Sequence, residues 1–283
     1  MRAAPARIVL FVTLLLTLAP FFMMLSISLQ SDSEIYSPSL VMIPSPPRFE
    51  NFTDAMTSGN WARYFYNSSA VTVVVVAVSL MINSMAGFTF ARVPFRFSGA
   101  LFMLVLVGMM IPTQTTMIPV YLMLRQAPLA GGNDLLGRGG RGLYDSLAGL
   151  SLPFIAGSFG VFLCRQYYLS FPAELDDAAR IDGCGRFGTF TAIYVPLSGP
   201  LFASLGLLKF TGTWNEYTWP LIMTRSDSMK TVQLALAAFR NESGVAWSRL
   251  MAASVLAGLP VYVLFFSAQR HFMAGLTAGS VKG

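Results

Sequence analysis

The sequence has few charged side chains, few cysteines and a single histidine, and each shortage excludes a class of protein. Charged residues make up 11% of the 283 positions, where about 25% is usual for soluble domains, while hydrophobic residues make up 54%. Cys164 and Cys184 cannot frame a disulfide-rich domain. One histidine, His271, leaves no His/Cys metal cluster and no histidine-based triad. The composition therefore indicates a membrane protein and makes most enzyme classes untenable.

The apolar residues form blocks of about the length that crosses a bilayer, roughly 20 residues. The first block is longer than the apolar core of a signal peptide, so we expect it to remain as an uncleaved helix. Charged side chains occur inside the blocks at Lys209 and Glu216, both in the fifth. We predict an all-α integral membrane protein with one domain, 1–283, and six transmembrane helices at about 8–29, 70–90, 100–120, 146–164, 196–223 and 251–268.

The orientation follows from a few flanking residues, because lysine and arginine otherwise divide evenly between the two sides. Acidic residues, Asp32 and Glu34, follow the first block. Basic residues precede that block and occupy the short loop after the second: Arg2, Arg7, Arg92 and Arg96. We therefore expect both termini in the cytoplasm.

Two outer segments differ in composition from the inner ones. Residues 30–66 are rich in proline and aromatic side chains, which predicts an ordered cap packed on the outer face. Residues 130–142 include six glycines, which predicts a flexible loop.

The segment 172–196, between the fourth and fifth blocks, is too polar to span a membrane. Pro172 suits a first helical turn, and Gly183 suits a C-terminal stop. Acidic residues, which the helix dipole favours near an N-terminus, lie between them: Glu174, Asp176 and Asp177. We predict a short helix of about ten residues and a second one over 185–195, ending where Pro196 opens the fifth span.

The first short helix has a partly apolar surface of small residues that another protein could approach closely. These residues are Leu175, Ala178, Ala179 and Ile181. The alternative is an amphipathic hairpin on the membrane surface. Because anionic lipid headgroups would repel its acidic side, docking to a protein partner is the favoured interpretation.

The same segment resembles the cytoplasmic loop of bacterial ABC importer permeases. That loop carries Glu-Ala-Ala, three residues, Gly, nine residues and Ile-x-Leu-Pro; Asp177-Ala178-Ala179, Gly183 and Ile193-Tyr194-Val195-Pro196 stand at these spacings. Asp replaces Glu at 177, and Val replaces Leu at 195. Trp214-Asn215-Glu216-Tyr217 and the tail 275–283 are similar to the MalG-like permease subunit of carbohydrate-type importers, which take up maltose, trehalose or glycerol-3-phosphate.

The resemblance implies a type I ABC importer permease with a cytoplasmic coupling-helix loop, 172–196, in the bacterial cytoplasmic (inner) membrane. Its implied substrate is a sugar or related polyol. The implied partners are a homologous MalF-like permease, two nucleotide-binding ATPase subunits and an extracytoplasmic solute-binding protein, with no nucleic acid. Contact with the ATPase is implied for Glu174, Asp177, Ala178, Ala179, Asp182, Gly183 and Pro196 in the loop, and for Gly275, Leu276, Thr277 and Lys282 in the tail.

The positions of the lysines fit a separate ATPase. A P-loop needs G-x-x-x-x-G-K-[ST], because backbone amides cradle the phosphates and the lysine reaches the terminal ones. The three lysines are Lys209, Lys230 and Lys282, and none follows a glycine. We therefore expect no cofactor in this chain, with ATP and Mg²⁺ bound by the partner subunit.

The charges of the fifth block have two interpretations. Lys209 and Glu216 are seven positions apart, so in one helix they would share a face and could line a pore, with Asn215 near the outer end. Alternatively, Lys209 snorkels toward the membrane surface or bonds to backbone carbonyls of the partner permease, and Glu216 lies at the interface and packs against the outer loop. The rival function is a self-sufficient secondary carrier or channel, although no convincing repeat relates 1–140 to 141–283.

Overall fold

The computed structural model describes residues 3–39, 41–241 and 244–278, except for the side chains of 3–5, 241 and 268–278. Its α-helices are α1 (Ala3–Ser28), α2 (Asp32–Ile35), α3 (Glu50–Thr57), α4 (Trp61–Arg92), α5 (Ser98–Met110), α6 (Thr113–Arg125), α7 (Leu147–Ser151), α8 (Ser158–Leu169), α9 (Glu174–Ile181), α10 (Arg186–Thr189), α11 (Val195–Leu197), α12 (Gly199–Trp214), α13 (Thr218–Met223), α14 (Val232–Leu236) and α15 (Trp247–Ala278). A two-residue hairpin pairs β1 (Arg240–Asn241) with β2 (Gly244–Val245). The predicted all-α architecture is confirmed.

Within the described residues, three helices are individually long and apolar enough to cross a membrane. These segments are Ala6–Ser28, Trp61–Arg92 and Trp247–Ser267. They contain or closely overlap the first, second and sixth predicted spans. The first exposes apolar side chains on every side, as expected for a helix surrounded by lipid.

The other three predicted spans are pairs of helices joined at sharp bends. α5 and α6 meet at 104°, Leu147–Phe154 and α8 at 46°, and Arg186–Leu197 and α12 at 78°. Extended backbone at Ile111 and Pro112 separates the first pair, and extended Gly157 precedes the second helix of the next. Six spans result if each bent pair counts as one, so the six-span arrangement stays a prediction.

The fifth block departs from its prediction at both ends. Pro196 lies inside the short helix α11, and the long helix begins at Gly199 with Pro200 in its first turn. That helix ends at Trp214, so Glu216 lies beyond it. The predicted common helical face for Lys209 and Glu216 is therefore wrong.

The described chain divides into two compact units, Met1–Phe65 with Lys230–Pro260, and Tyr66–Met229 with Val261–Gly283. In the first unit, the segment after α1 is ordered by side-chain caps. Ser31 and Glu34 form a reciprocal capping box at α2, and the Asn51 side chain donates to the carbonyls of Ser28 and Gln30.

The second unit contains two apolar clusters. One joins the end of α4 to α8 and to the chain over 190–205, and includes Phe88, Tyr168 and Tyr194. In it, residues Phe190–Tyr194 form a single π-helical turn between α10 and α11. The other cluster packs Val75 of α4 against Leu150 and Trp219. The first cluster supports the loop discussed below.

The glycine-rich segment 130–142 is a compact turn structure rather than the flexible loop we predicted. The buried Asn133 side chain donates to the carbonyls of Arg125 and Ala127, and its oxygen accepts from the Gly140 amide. Asp134 accepts from two amides of the same segment. Five of the six glycines have positive φ angles, which explains their number, because L side chains rarely adopt that backbone conformation.

Candidate functional site

The first helix of the polar loop forms where its sequence predicts, whereas the second predicted helix, 185–195, is α10, a π-helical turn and α11, and continues through Pro196 to Leu197. Helix α9 carries three acidic residues in its first turn and spans eight residues, close to the predicted ten. At its end, the Gly183 amide donates to the Arg180 carbonyl and the Cys184 amide to the Ala179 carbonyl, at 3.1 and 2.8 Å. Gly183 has a φ of +78°, so this is a Schellman motif with glycine at the left-handed position. The predicted stop at Gly183 is confirmed.

The inner side of α9 is anchored through Asp176. The Arg92 guanidinium lies 3.4 Å from the Asp176 carboxylate, and the Tyr194 hydroxyl donates to the same carboxylate at 3.0 Å. Ala179, three residues further along the helix, is 1% exposed and packs into the chain. Our expectation that Ala179 belongs to a surface open to a partner is therefore wrong.

Arg92, the last residue of α4, also closes the end of α8. Its guanidinium donates twice to the Tyr168 carbonyl, at 2.7 and 3.1 Å, and once to the Phe171 carbonyl. The Tyr168 carbonyl, at the end of α8, also accepts from the Phe171 amide, and a cation at this end interacts favourably with the helix dipole. One side chain thus ties together the ends of α4 and α8 and the start of the loop.

Aromatic rings fix the position of this junction. The Tyr194 ring lies 4.8 Å from Phe88, 5.3 Å from Phe171 and 5.4 Å from Tyr168, measured between centroids. The Arg92 guanidinium lies over the Tyr194 ring at 5.7 Å. These rings pack the segments on either side of α9 against α4 and α8, and α9 itself joins this junction through Asp176 and the buried Ala179.

Sequence reasoning did not assign Arg92, Asp176 or Tyr194 to the site. Asp176 was noted for its helix-dipole position alone. One signal was available: in an eight-residue helix, Asp176 and Ala179 are three apart and share the face that must pack inward. The cation that meets them lies in a different predicted span.

The side of α9 that faces away from the rest of the chain is exposed to solvent. Ile181 is 87% exposed, and Phe187 of the following helix is also exposed. The assigned residues Glu174, Asp177, Ala178, Asp182 and Gly183 are all exposed as well. Pro196 is exposed too. The loop thus presents apolar side chains surrounded by carboxylates on an anchored element, which suits a protein partner.

The side chains of the tail residues assigned by resemblance lie outside the described part of the chain. Gly275, Leu276 and Thr277 continue the backbone of α15, which ends at Ala278. Lys282 lies outside the described residues. Contact between the tail and an ATPase stays a prediction.

The remaining candidates have partners within the chain. The Lys209 ammonium donates to the Phe154 carbonyl at 3.1 Å, so it bonds to a carbonyl of its own chain. One Glu216 carboxylate oxygen accepts from the Trp219 amide at 2.9 Å, and exposed Asn215 caps the end of α12. Lys209 and Glu216 both adjoin the turn at Phe154, where a cavity is described below.

Asp145, just before the fourth predicted span, organises a second loop junction. Its carboxylate accepts from the amides of Arg225 and Ser226 and from the Ser226 hydroxyl, at 2.9 to 3.1 Å. Burial raises the pKa of Asp145, but these hydrogen bonds and the charge of Arg141 lower it by more. The net pKa lies below the ordinary value of 3.8.

We expect Asp145→Asn to lower the thermal unfolding temperature by a few degrees at neutral pH, and by less in acid. A depressed native pKa stabilises the fold above the unfolded-state pKa, about 4, and that contribution is lost as the pH falls through the native value. Unfolding of the purified protein from pH 7 to pH 3 would measure the difference. A difference that stays constant over this range would contradict the role of the ionised carboxylate.

Known proteins share this architecture. A solved bacterial ABC transporter involved in the import of the acidic polysaccharide alginate has a chain that superposes with a TM-score of 0.81, covering 95% of this chain and 96% of that one. At 21% identity the likeness concerns the fold alone. The family described as the inner membrane component of binding-protein-dependent transport systems matches residues 83–277. The chain belongs to this family of transport permeases.

Three relatives are similar over most of their length. The arabinooligosaccharides transport permease AraQ of Bacillus subtilis is 35% identical over 272 residues, 95% of this chain and 92% of the relative. The lactose transport permease LacG of Rhizobium radiobacter is 31% identical, covering 83% and 80%. The sn-glycerol-3-phosphate transport permease UgpE of Rhizobium meliloti is 28% identical, covering 95% and 94%. The region that matches the family, residues 83–277, contains the loop 172–196 and α12.

Proposed function

We propose that the chain is one permease subunit of an ATP-driven importer for a sugar or related polyol. It pairs with a homologous MalF-like permease, two nucleotide-binding ATPase subunits and an extracytoplasmic solute-binding protein. The observation that carries the proposal is helix α9, which is anchored on its inner side by Asp176 and open on its outer side. The substrate class rests on the names of the relatives, which transport arabinooligosaccharides, lactose and glycerol phosphate.

The loop couples ATP hydrolysis to transport by rigid movement. The exposed Ile181 and Phe187 side chains enter a groove of the ATPase subunit, and the carboxylates around them set its orientation. When the ATPase closes on ATP and Mg²⁺, α9 moves with it. Arg92 and the aromatic junction then pass the displacement to α4 and α8, because a packed element moves as a body.

Purification through a tag on this chain from its native membranes tests the proposal. We expect an ATPase subunit to co-purify, and uptake into liposomes by the purified assembly to require hydrolysable ATP. A non-hydrolysable analogue serves as the matched control. Uptake by this chain alone without ATP would favour the secondary carrier, for which the bent helix pairs are the relevant feature, and would overturn the importer function.

The proposed orientation, with both termini in the cytoplasm, predicts that Cys184 is exposed on the cytoplasmic side of the membrane. This half-buried thiol follows α9, whereas Cys164 is buried in α8. In membranes that contain the chain without its partners, we expect a membrane-impermeant maleimide to label inside-out vesicles and to spare right-side-out vesicles. Cys184→Ser supplies the background. Preferential labelling from the outside would reverse the topology.

A further inference from the structure

A cavity of about 300 Å³ with a mixed polar and apolar lining lies beside the first half of α6. Three segments form its walls: α6 with Thr113, Gln114, Thr116, Met117 and Val120, the turn at Pro153 and Phe154, and the residues Glu216, Thr218 and Trp219. Irregular backbone at membrane depth is tolerated where it lines a cavity. The lining begins at Thr113, the first residue after the sharp bend that interrupts the third predicted span.

The polar groups of the cavity are suited to hydroxyl groups. The hydroxyls of Thr113, Thr116 and Thr218 and the amide of Gln114 lie in the lining, and each such group can donate and accept hydrogen bonds. Thr116 already donates to the Thr113 carbonyl and Thr113 to the Gln114 side chain, so the oxygens of these two hydroxyls serve as acceptors. The Glu216 carboxylate accepts only, and one of its oxygens is held by the Trp219 amide. This combination matches a polyol, whose hydroxyls need donors and acceptors in alternation.

Two hydrogen bonds to groups outside the cavity hold its wall in place. The buried Trp219 side chain donates its ring N–H to the Gly149 carbonyl at 3.0 Å. The Lys209 ammonium holds the Phe154 carbonyl at 3.1 Å from a position outside the lining. A wall held in place before a ligand arrives binds without a large ordering cost.

The charge of the cavity is negative. Among the lining residues in the described part of the chain, Glu216 is ionisable as an acid and none is cationic. Lys209 lies outside the lining, where its ammonium donates to the Phe154 carbonyl. An anionic ligand would therefore meet an unpaired like charge, at a cost that the threonines cannot offset.

We infer that this cavity binds one neutral sugar ring of the transported solute and disfavours anionic solutes. The inference rests on the proposed importer function. Its volume lies at the lower end of ligand pockets, roughly 300–1,000 Å³, which suits a single ring rather than a whole oligosaccharide. Glu216 is the residue that sets the charge preference.

Thiol chemistry in the assembled importer tests the charge of the cavity. In a Cys184→Ser background, Thr116→Cys places a thiol in the cavity wall, and Thr115→Cys places a matched exposed thiol outside the lining. We expect the ratio of modification rates by cationic and anionic methanethiosulfonates to be about tenfold higher at position 116 than at 115. Glu216→Gln should remove that difference. Equal ratios at both positions, or a difference that Glu216→Gln leaves unchanged, would overturn the inference.

Ligand protection tests the substrate class. Arabinobiose, lactose and diacetylchitobiose are the neutral probes; sn-glycerol 3-phosphate and an alginate oligosaccharide are the anionic ones. We expect at least one neutral probe, and neither anionic probe, to slow modification at position 116 several-fold and to leave position 115 unaffected. The inference about the cavity would be refuted if an anionic probe protected position 116, or if none of the neutral probes did.

Measuring ATP-dependent uptake in the same preparation separates this inference from the proposed importer function. ATP-dependent uptake without protection of position 116 would refute the sugar site in the cavity and leave the importer function standing. Protection of position 116 together with uptake that does not depend on ATP would refute the importer function and leave the sugar site standing.

Discussion

Replacing Gly183 with aspartate is expected to abolish ATP-driven uptake while the protein still inserts into the membrane. Gly183 adopts a φ of +78°, where a side chain costs about 1 kcal/mol in backbone strain. A Cβ at this position would meet open space within the chain. The fold therefore tolerates the side chain, whereas an ATPase docked against the end of α9 would meet both its bulk and its charge.

The matched control is Gly185→Asp, two residues away. Gly185 also faces open space but has a φ of −72° and extended ψ, at the position that caps α10, where aspartate is favourable. Membrane insertion, co-purification of the ATPase and uptake would be measured for both variants. Normal assembly and uptake by Gly183→Asp would contradict the coupling role of α9.

Replacing Arg92 with methionine is expected to destabilise the protein by about 2–4 kcal/mol and to uncouple ATP hydrolysis from transport. The change removes the cation from beside the Asp176 carboxylate, which keeps only the Tyr194 hydroxyl, and removes the Arg92 hydrogen bonds to the Tyr168 and Phe171 carbonyls. The Arg92 and Asp176 side chains are 12% and 22% exposed, so solvent replaces the lost contacts poorly. ATPase activity that persists without uptake would be the functional signature.

A second ion pair provides the comparison for this variant. Arg180 and Asp177 also lie 3.4 Å apart, but on the exposed side of α9, at 73% and 68% exposure. Arg180→Met should change stability by no more than about 0.5 kcal/mol. Adding Asp176→Asn to Arg92→Met should recover part of the loss, because the stranded charge is removed. Equal effects of Arg92→Met and Arg180→Met on unfolding would show that Arg92 anchors nothing.

The long apolar helices and the coupling loop could be predicted because their signals are local. Acids after Pro172 and a glycine at 183 specify a short helix and its end within twelve residues. The bends could not be predicted, since proline has no single meaning in this chain. Pro20, Pro119 and Pro260 lie inside continuous helices, whereas Pro112 stands at a break. Packing decides which proline interrupts a helix, and the sequence pattern does not encode that packing.

Arg92, which anchors the candidate site, could not be predicted because its partners are far from it in the sequence. Arg92 meets the Tyr168 carbonyl 76 positions away, and its carboxylate partner lies further still. No spacing rule connects residues that separate spans bring together. The prediction that Ala179 faces a partner was wrong for a related reason. The sequence shows that the residue is small, but whether its side chain faces a partner or the core depends on how the helix packs, and Ala179 is buried.

The π-helical turn Phe190–Tyr194 sets the rotational phase of the chain that follows α9. Such a turn contains one residue more than an α-helical turn. Removing one residue there, for example the exposed Thr191, would restore a regular helix and rotate Tyr194 by about 100° relative to the preceding turn. Its hydroxyl would then point away from Asp176. Chain length at this turn is therefore constrained more tightly than residue identity, and insertions or deletions there should be tolerated less than substitutions.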